Sequence, residues 1–564
     1  MPTVEVIRRD LEHLLGMQLP EDTERLNEIL AYVKSEIKGL DEEEIRIELK
    51  DSNRADLWSV EGLARALRGY LGLETGLKEY KVESSSGVEV YVNPKLKDIR
   101  PYIGCAIIKG VNLTDDAIRQ LMRFQDKMDQ TVGRNRRRTS IGLYEFDLVK
   151  PPLRFTVAKP KEVSFVPLDF DDKLTLEEIL EKHPKGVEYG HIIRRFPVWP
   201  IFMDSEDQVL SFPPIINSND LGRITEETKN VLVEVTGTSY KAVLDTLINM
   251  TVSLADRGGR IYSAEIHYPY SEPADDVTPK LDAETVCLDV SYIQRFIGLE
   301  LSTSEIVSLL EKARFGVAEY SESRISVQVP CYRMDILHPI DIVEDIAIAY
   351  DYNRIPDEWP NLPTIGELSS ETEFRNLIRE LMVGLGFQEV LTYIMTNPET
   401  LFARMNIEPS RVVELANPKI ATMTCLRNWL LPSLMEFLSH NVHVSYPQRI
   451  FEVGYCVLHD ETRENMTRDV EKLACVNIHS NANFTEVKAQ LDALLSNLGL
   501  KYELEETRHG SFIEGRVGKI ILEGKEAGII GEIHPQVLQN WRLENPASAF
   551  EISVDEMRRV KHSE

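Results

Sequence analysis

The segment 332–356, YRMDILHPIDIVEDIAIAYDYNRIP, makes two demands that few local folds meet at once. Its apolar residues ask for burial, yet Asp335, Asp341, Glu344 and Asp345 fall within eleven positions. A buried carboxylate needs backbone amides, a cationic side chain or a metal ion beside it. Spacing allows two readings. In one, Asp341-x-x-Glu344 opens a helix, both acids satisfy free backbone N–H groups, and the helix dipole favours them. Asp345 then faces solvent. In the other, Asp341, Glu344 and Asp345 share one helical face at i, i+3 and i+4, with Asp335 folded back over that end. Carboxylates without cysteine suit a hard cation such as Mg²⁺, which takes one or two of them directly and leaves the rest as outer supports. Both readings stay open on spacing alone.

The rest of the chain separates by pattern. No single core serves 564 residues, and the usual domain size predicts roughly three to five domains. Four regions are expected. Residues 1–83 carry an amphipathic helix in DSNRADLWSVEGLARALRGYLG, with Asp56 as a candidate N-cap and Gly72 as a stop. Residues 84–275 alternate strand-like runs, such as GVEVYV and NVLVEVTGT, with helices, Gly258-Gly259 ending one of these. Residues 276–360 hold a capping box, Ser302 with Glu305, and close with the acidic segment. Residues 361–564 open with a second candidate box, Ser370 with Glu373, and an apolar face of Phe374, Leu377, Ile378, Leu381 and Leu385. Strand-like runs then dominate, so the fold class is α+β, in several domains.

Charge and cysteine usage narrow the setting. A net charge of −28 does not attract polyphosphate through its mean field, so nucleic acid must be met by local patches or a more basic partner. The strongest basic cluster is GRNRRR, with Arg134, Arg136, Arg137 and Arg138, either a phosphate-contact patch or a solvated loop. Six cysteines form no CxxC pair, which predicts neither zinc nor a disulfide framework and suits a reducing cytoplasm. No run reaches the ~18 apolar residues of a membrane span. In NVLVEVTGT, strand alternation places Leu232, Glu234 and Thr236 on one face and Val231, Val233 and Val235 on the other.

Seven stretches, spread in order over nearly the whole chain, carry a resemblance. They are DSNRADLWSVEGLARALRGYLG, GRNRRRTSIGLYEFD, FPPIINSNDLGRIT, VEVTGT, VPCYRMDILHPIDIVEDIAIAYDYNRIP, LRNWLLPSLMEFLSHN and GIIGEIHPQVLQNW. Together they resemble the β subunit of phenylalanyl-tRNA synthetase in its archaeal and eukaryotic cytosolic form. The resemblance implies an α₂β₂ enzyme that joins phenylalanine to tRNA(Phe) at the expense of ATP, with the synthetic site in α. It implies an α/β editing domain over 84–275, a helix-turn-helix-like domain over 276–360, and a class II synthetase-like antiparallel sheet domain without catalysis over 361–564. Asp335, Asp341, Glu344 and Asp345 match the family's magnesium positions, a site shared with α. Ser211, Asn217, Arg223, Glu234 and Thr236 match its editing pocket, where a carboxylate and hydroxyls would hold the phenol of a mischarged tyrosine and a water. The last domain departs from active class II cores: QRIFEVG gives Arg449-x-x-Glu452 instead of Arg-x-Glu, and GIIGEIHP lacks the terminal Arg. Two rival functions remain, a stand-alone editing hydrolase and a purely structural adaptor.

Overall fold

The computed structural model describes residues 2–41, 43–51, 53–270 and 272–563. Ser52, which falls in the stretch DSNRADLWSVEGLARALRGYLG, lies outside the described residues. The chain divides into two compact units, 1–358 and 359–564. Among the described residues no helix is long and apolar enough to cross a membrane.

The first unit begins with a three-stranded antiparallel sheet in the order Thr3–Ile7, Glu44–Leu49, Ser35–Leu40. Its amphipathic helix runs Val60–Tyr70, and Gly72 takes φ +71° at the expected stop. The N-cap is Ser59, whose Oγ accepts from the Gly62 amide at 2.9 Å, not Asp56. Asp56 is instead drawn into a two-bond ion pair with Arg54, because a buried carboxylate gains more from a guanidinium than from one amide.

The centre of this unit is a ten-stranded sheet. Its elements are β1 (Val82–Val92), β2 (Tyr102–Lys109), α1 (Asp115–Gln130), β3 (Thr139–Glu145), β4 (Leu153–Ala158), β5 (Trp199–Met203), β6 (Val209–Phe212), β7 (Ile216–Asn217), β8 (Asn230–Gly237), α2 (Tyr240–Asp256), β9 (Arg260–His267) and β10 (Asp276–Thr278). The strand order is β7-β6-β5-β4-β1-β9-β2-β8-β3, with β10 on β9. β1 runs parallel to β4 and β9; the other pairs are antiparallel. The alternation expected for β8 is present. Val231, Val233 and Val235 pack in the core shared with α2, while Leu232 enters the apolar cluster on the opposite face.

A smaller three-stranded antiparallel sheet follows, ordered Glu284–Asp289, Arg324–Val329, Gly316–Tyr320. The helices Val290–Ile297 and Thr303–Lys312 precede its hairpin, and the Ser302–Glu305 capping box forms as expected. The region is therefore a helix pair with a β-ribbon, closed by α3 (Pro339–Tyr350).

The second unit is built on a seven-stranded sheet, in the order Gln388–Glu389, Gln448–His459, Thr467–Ile478, Ala547–Ser553, Lys525–Ile533, Phe512–Leu522, Glu503–Glu506. All pairs are antiparallel except the first. The helix Ser370–Gly384 starts one residue earlier than its sequence suggests: Ser369 Oγ accepts from the Thr372 amide, and no box forms between Ser370 and Glu373. Phe374, Ile378 and Met382 are buried, and Leu377 is turned out at 38% exposure.

Candidate functional site

The concavity that gathers most of the expected residues is a cavity of about 310 Å³ beside β8. Ser211 from the end of β6, Asn217 from β7, Arg223 from the loop after it and Glu234 from β8 all line it. The Pro213-Pro214 turn between β6 and β7 forms part of the wall. Ser211 pairs with Asn217 across the β6–β7 ladder, which sets two polar side chains on one side of the cavity. Asn217 Nδ2 donates to the Leu143 carbonyl at 3.3 Å. Gly222 packs so closely that a Cβ there would stand 2.5 Å from the Asn217 Cβ, which explains a residue without a side chain before Arg223. Arg223 itself is exposed. Thr236 does not reach the wall. It is fully buried behind it, its Oγ1 accepting from Arg100 Nε at 2.9 Å.

Glu234 is the chemically unusual member. It is 2% exposed, not a solvent-facing strand residue. Its Oε2 accepts from Tyr144 Oη at 2.8 Å, and its Oε1 is buried with no hydrogen-bond partner. Burial pushes its carboxyl up to about 7, against the opposing pull of the Tyr144 hydrogen bond, the Arg100 charge and the nearby Thr236 hydroxyl. The Ser211 hydroxyl is likewise buried, beside the Tyr144 hydroxyl that it helps to hold. Unsatisfied buried polar atoms cost folding energy, and their presence on the lining of this cavity makes it the candidate ligand site.

Sequence reasoning did not find the residues that stiffen this wall. Arg100 is fully buried and donates to Thr236 Oγ1, the Thr236 carbonyl, Ser140 Oγ and the Arg136 carbonyl. Burial draws its guanidinium down to about 10, which leaves it charged near neutrality. Tyr144 was legible only through register, since it stands two residues from Gly142, which pairs with Glu234. His183 also lines the cavity, but its ring is committed: Nε2 lies 3.1 Å from the Leu168 carbonyl and Nδ1 accepts from the Lys185 amide.

The arginine cluster splits in two. Arg134 and Arg137 are exposed and Arg138 is half-buried. Arg136 is no surface contact: it is buried, pairs with Asp129 at 2.9 Å, donates to the Ile215 carbonyl at 2.8 Å and lies over the Tyr189 ring. Arg134, Asn135 and Arg136 all take left-handed backbone angles, and that turn drives the Arg136 side chain inward to the cavity wall.

The acidic segment also divides. Asp345 does not face solvent; it is buried, and Arg333 Nη2 donates to its Oδ2 at 2.6 Å. Arg333 binds both oxygens of Asp335, at 2.9 and 2.7 Å. Arg54 approaches both acids, at 4.0 and 3.7 Å. Burial raises the Asp335 carboxyl, but the Arg333 charge and hydrogen bonds outweigh it and hold the group below its ordinary value. Asp341 is the capping acid. Its Oδ2 accepts from the Leu337 and His338 amides at 2.8 Å each, in a box with His338 as N-cap. Glu344 caps nothing and pairs with Lys34 at 2.6 Å, its side chain 54% exposed. Of the four acids, two are thus paired with arginine and the other two serve separate partners. Among the described residues the one group of metal-ligating atoms within 4.8 Å of one another is Glu89, Glu265 and His267.

In the second unit the Arg449–Glu452 pair is spent on the fold. Arg449 pairs with Glu486 at 2.9 Å. Glu452 is fully buried and takes a hydrogen bond from Arg427 at 2.8 Å and another from Thr392 at 2.6 Å.

The first unit thus holds a cavity with a buried carboxylate on its wall, and the second a mostly antiparallel sheet whose Arg449 and Glu452 are committed to the fold. Residues 286–352 match the tRNA synthetase B5 domain, and residues 355–554 match the phenylalanyl tRNA synthetase beta chain CLM domain. The chain is 47% identical to a phenylalanine–tRNA ligase beta subunit of Pyrococcus abyssi over 98% of this chain and 99% of that one. It is 40% identical to one of Methanocaldococcus jannaschii over 98% and 100%. A crystal structure of an N-terminal fragment of the beta subunit from Pyrococcus horikoshii is covered completely by 62% of this chain, at 42% identity and a TM-score of 0.60. The chain belongs to the family of phenylalanine–tRNA ligase beta subunits.

Proposed function

We propose that the chain works with an α subunit as an α₂β₂ phenylalanine–tRNA ligase in the cytoplasm, and that the cavity beside β8 hydrolyses tyrosine wrongly joined to tRNA(Phe). The complex uses ATP for ligation, and the synthetic site lies in α. A hydrophobic site built for phenylalanine rejects an added hydroxyl only modestly, so accuracy needs a second site that prefers the hydroxyl. The unpartnered Glu234 Oε1 on the cavity wall carries this reading, because it is placed to accept from a phenol.

Ser211 and Asn217, paired across the β6–β7 ladder on the same cavity, hold the ester and a water. The water oxygen adds to the ester carbonyl carbon, the bond from that carbon to the terminal ribose oxygen breaks, and a water proton ends on the ribose. Free tyrosine and intact tRNA result. Exposed Arg223 meets the backbone of the acceptor end, and Arg134, Arg137 and Arg138 supply further phosphate contacts. Residues 84–275 thus form the editing domain, and 361–564 form a support without ligation chemistry. A magnesium ion shared with α would meet Asp341 and Glu344, the two acids not neutralised by arginine.

Deacylation of tyrosyl-tRNA by the αβ complex tests the reading. Glu234→Ala and Asn217→Ala complexes should lose at least about tenfold in rate, as removal of a buried hydrogen-bonding group predicts. Rates equal to wild type would remove editing from this cavity.

A further inference from the structure

Glu234 lies opposite Gly142 in the β8–β3 ladder, and Tyr144 is the next residue of β3 on the same face. A Cβ on Gly142 would stand 2.2 Å from Tyr144 Oη and 2.5 Å from Glu234 Oε2. The missing side chain is therefore the space in which the two groups meet. The Tyr144 ring is fully buried, tilted against Phe202 with centroids 6.1 Å apart, so its hydroxyl has a fixed address. A short carboxylate with one oxygen pinned has its other oxygen pinned as well. That second oxygen, Oε1, has no partner on a residue that lines the cavity.

We propose that Tyr144, seated over Gly142, is a positioning residue that holds Glu234 so that the free carboxylate oxygen selects an amino ester with a para-hydroxyl. This rests on the editing reading of the cavity. It adds a selectivity device: a ligand phenol completes a hydrogen-bond set that the protein leaves one donor short, whereas an unsubstituted ring leaves Oε1 buried and unpaired. Such a site discriminates by the cost of the orphaned group, which exceeds the gain from one ordinary contact.

The carboxylate must be ionised to accept fully, and its surroundings decide when it is. The titratable groups that face it are Tyr144 from β3, Arg100 from the segment before β2, Cys105 from β2 and Asp129 from α1. The Tyr144 and Thr236 hydroxyls and the Arg100 charge favour the charged form, while Asp129 opposes it; burial keeps the Cys105 thiol neutral. Removing the Tyr144 hydroxyl takes away one stabiliser of the charge, so the pH at which selectivity appears should move upward.

The test uses the αβ complex, with tyrosyl-tRNA and phenylalanyl-tRNA as substrates, between about pH 6 and about pH 8.5. In Tyr144→Phe the preference for the tyrosyl ester should fall about tenfold, mainly through KM, with its pH midpoint raised. Gly142→Ala, which crowds the same hydrogen bond, should do likewise and stands in where Tyr144→Phe does not fold. Unchanged preference and midpoint in a folded Tyr144→Phe complex would overturn the positioning role. If Glu234→Gln abolishes the preference while Tyr144→Phe does not, the cavity reading survives and only the positioning role fails. If Glu234→Gln also changes nothing, the cavity reading itself fails.

Discussion

Two of the buried carboxylate sites in the first unit are handled in opposite ways. At 333–345, Asp335 and Asp345 are closed off by Arg333, with Arg54 nearby; the Asp335 carboxyl is held below its ordinary value despite burial. Beside β8, Glu234 has a phenol and a more distant arginine, one oxygen unpaired, and a carboxyl pushed up by burial to about 7. The first arrangement satisfies its charges and joins the N-terminal segment to α3. The second leaves a charge undersatisfied at a cavity. Strain of that kind is expected where binding is the purpose, since a ligand can supply what the fold withholds.

The sharpest way to break this contrast is to remove the arginine. Arg333→Met leaves two buried acids with only Arg54 to share, and breaking a buried pair by deleting one partner costs about 3–5 kcal/mol. Thermal or denaturant unfolding of the complex should show that loss. A change under about 1 kcal/mol would mean that the cluster is not the charge-satisfied site described here.

The next test reads the opposite sign at the other site. The folded Glu234 carboxyl titrates near 7, above its ordinary value of 4.5. The native state therefore keeps a proton that the unfolded chain releases, and stability falls as pH rises from about 4.5 to about 7. Asp129, which burial also lifts to about 7, adds to the same slope. Glu234→Gln should remove its share and make the complex about 1–3 kcal/mol more stable than wild type at about pH 8. A destabilised variant would show that the charged carboxylate is better satisfied than its unpaired oxygen indicates.

The sequence shows these two sites unequally, for a physical reason. Strand alternation in NVLVEVTGT is local, so the division of Val231, Val233 and Val235 from Glu234 could be read directly. The helix and strand runs, the Ser302–Glu305 box and the α+β class are local in the same sense. What the spacing hides is the partner across the fold. Arg54 and Asp345 are far apart in sequence, and nothing near Asp345 marks it as buried instead of solvated. Arg136 was grouped with its basic neighbours because charge runs look alike, yet three successive left-handed residues turn it inward. Tyr144 needed the β3–β8 register, which exists only once the sheet is built.

The smallest expected effect separates capping from mere proximity within α3. Asp341 and Glu344 are one helical turn apart, but Asp341 Oδ2 takes two backbone amides and Glu344, itself exposed, takes one half-buried lysine. Asp341→Asn weakens a charged acceptor at a helix N-terminus and should cost about 1 kcal/mol. Glu344→Gln should stay within about 0.5 kcal/mol, because the exposed carboxylate is screened by water and salt and Lys34 keeps Asp51 as a partner. Equal losses in unfolding experiments would blur the division within the acidic segment. If adding Mg²⁺ to the αβ complex stabilises wild type but neither variant, both acids serve the ion as well as their protein partners; if all three respond alike, the ion is held without them.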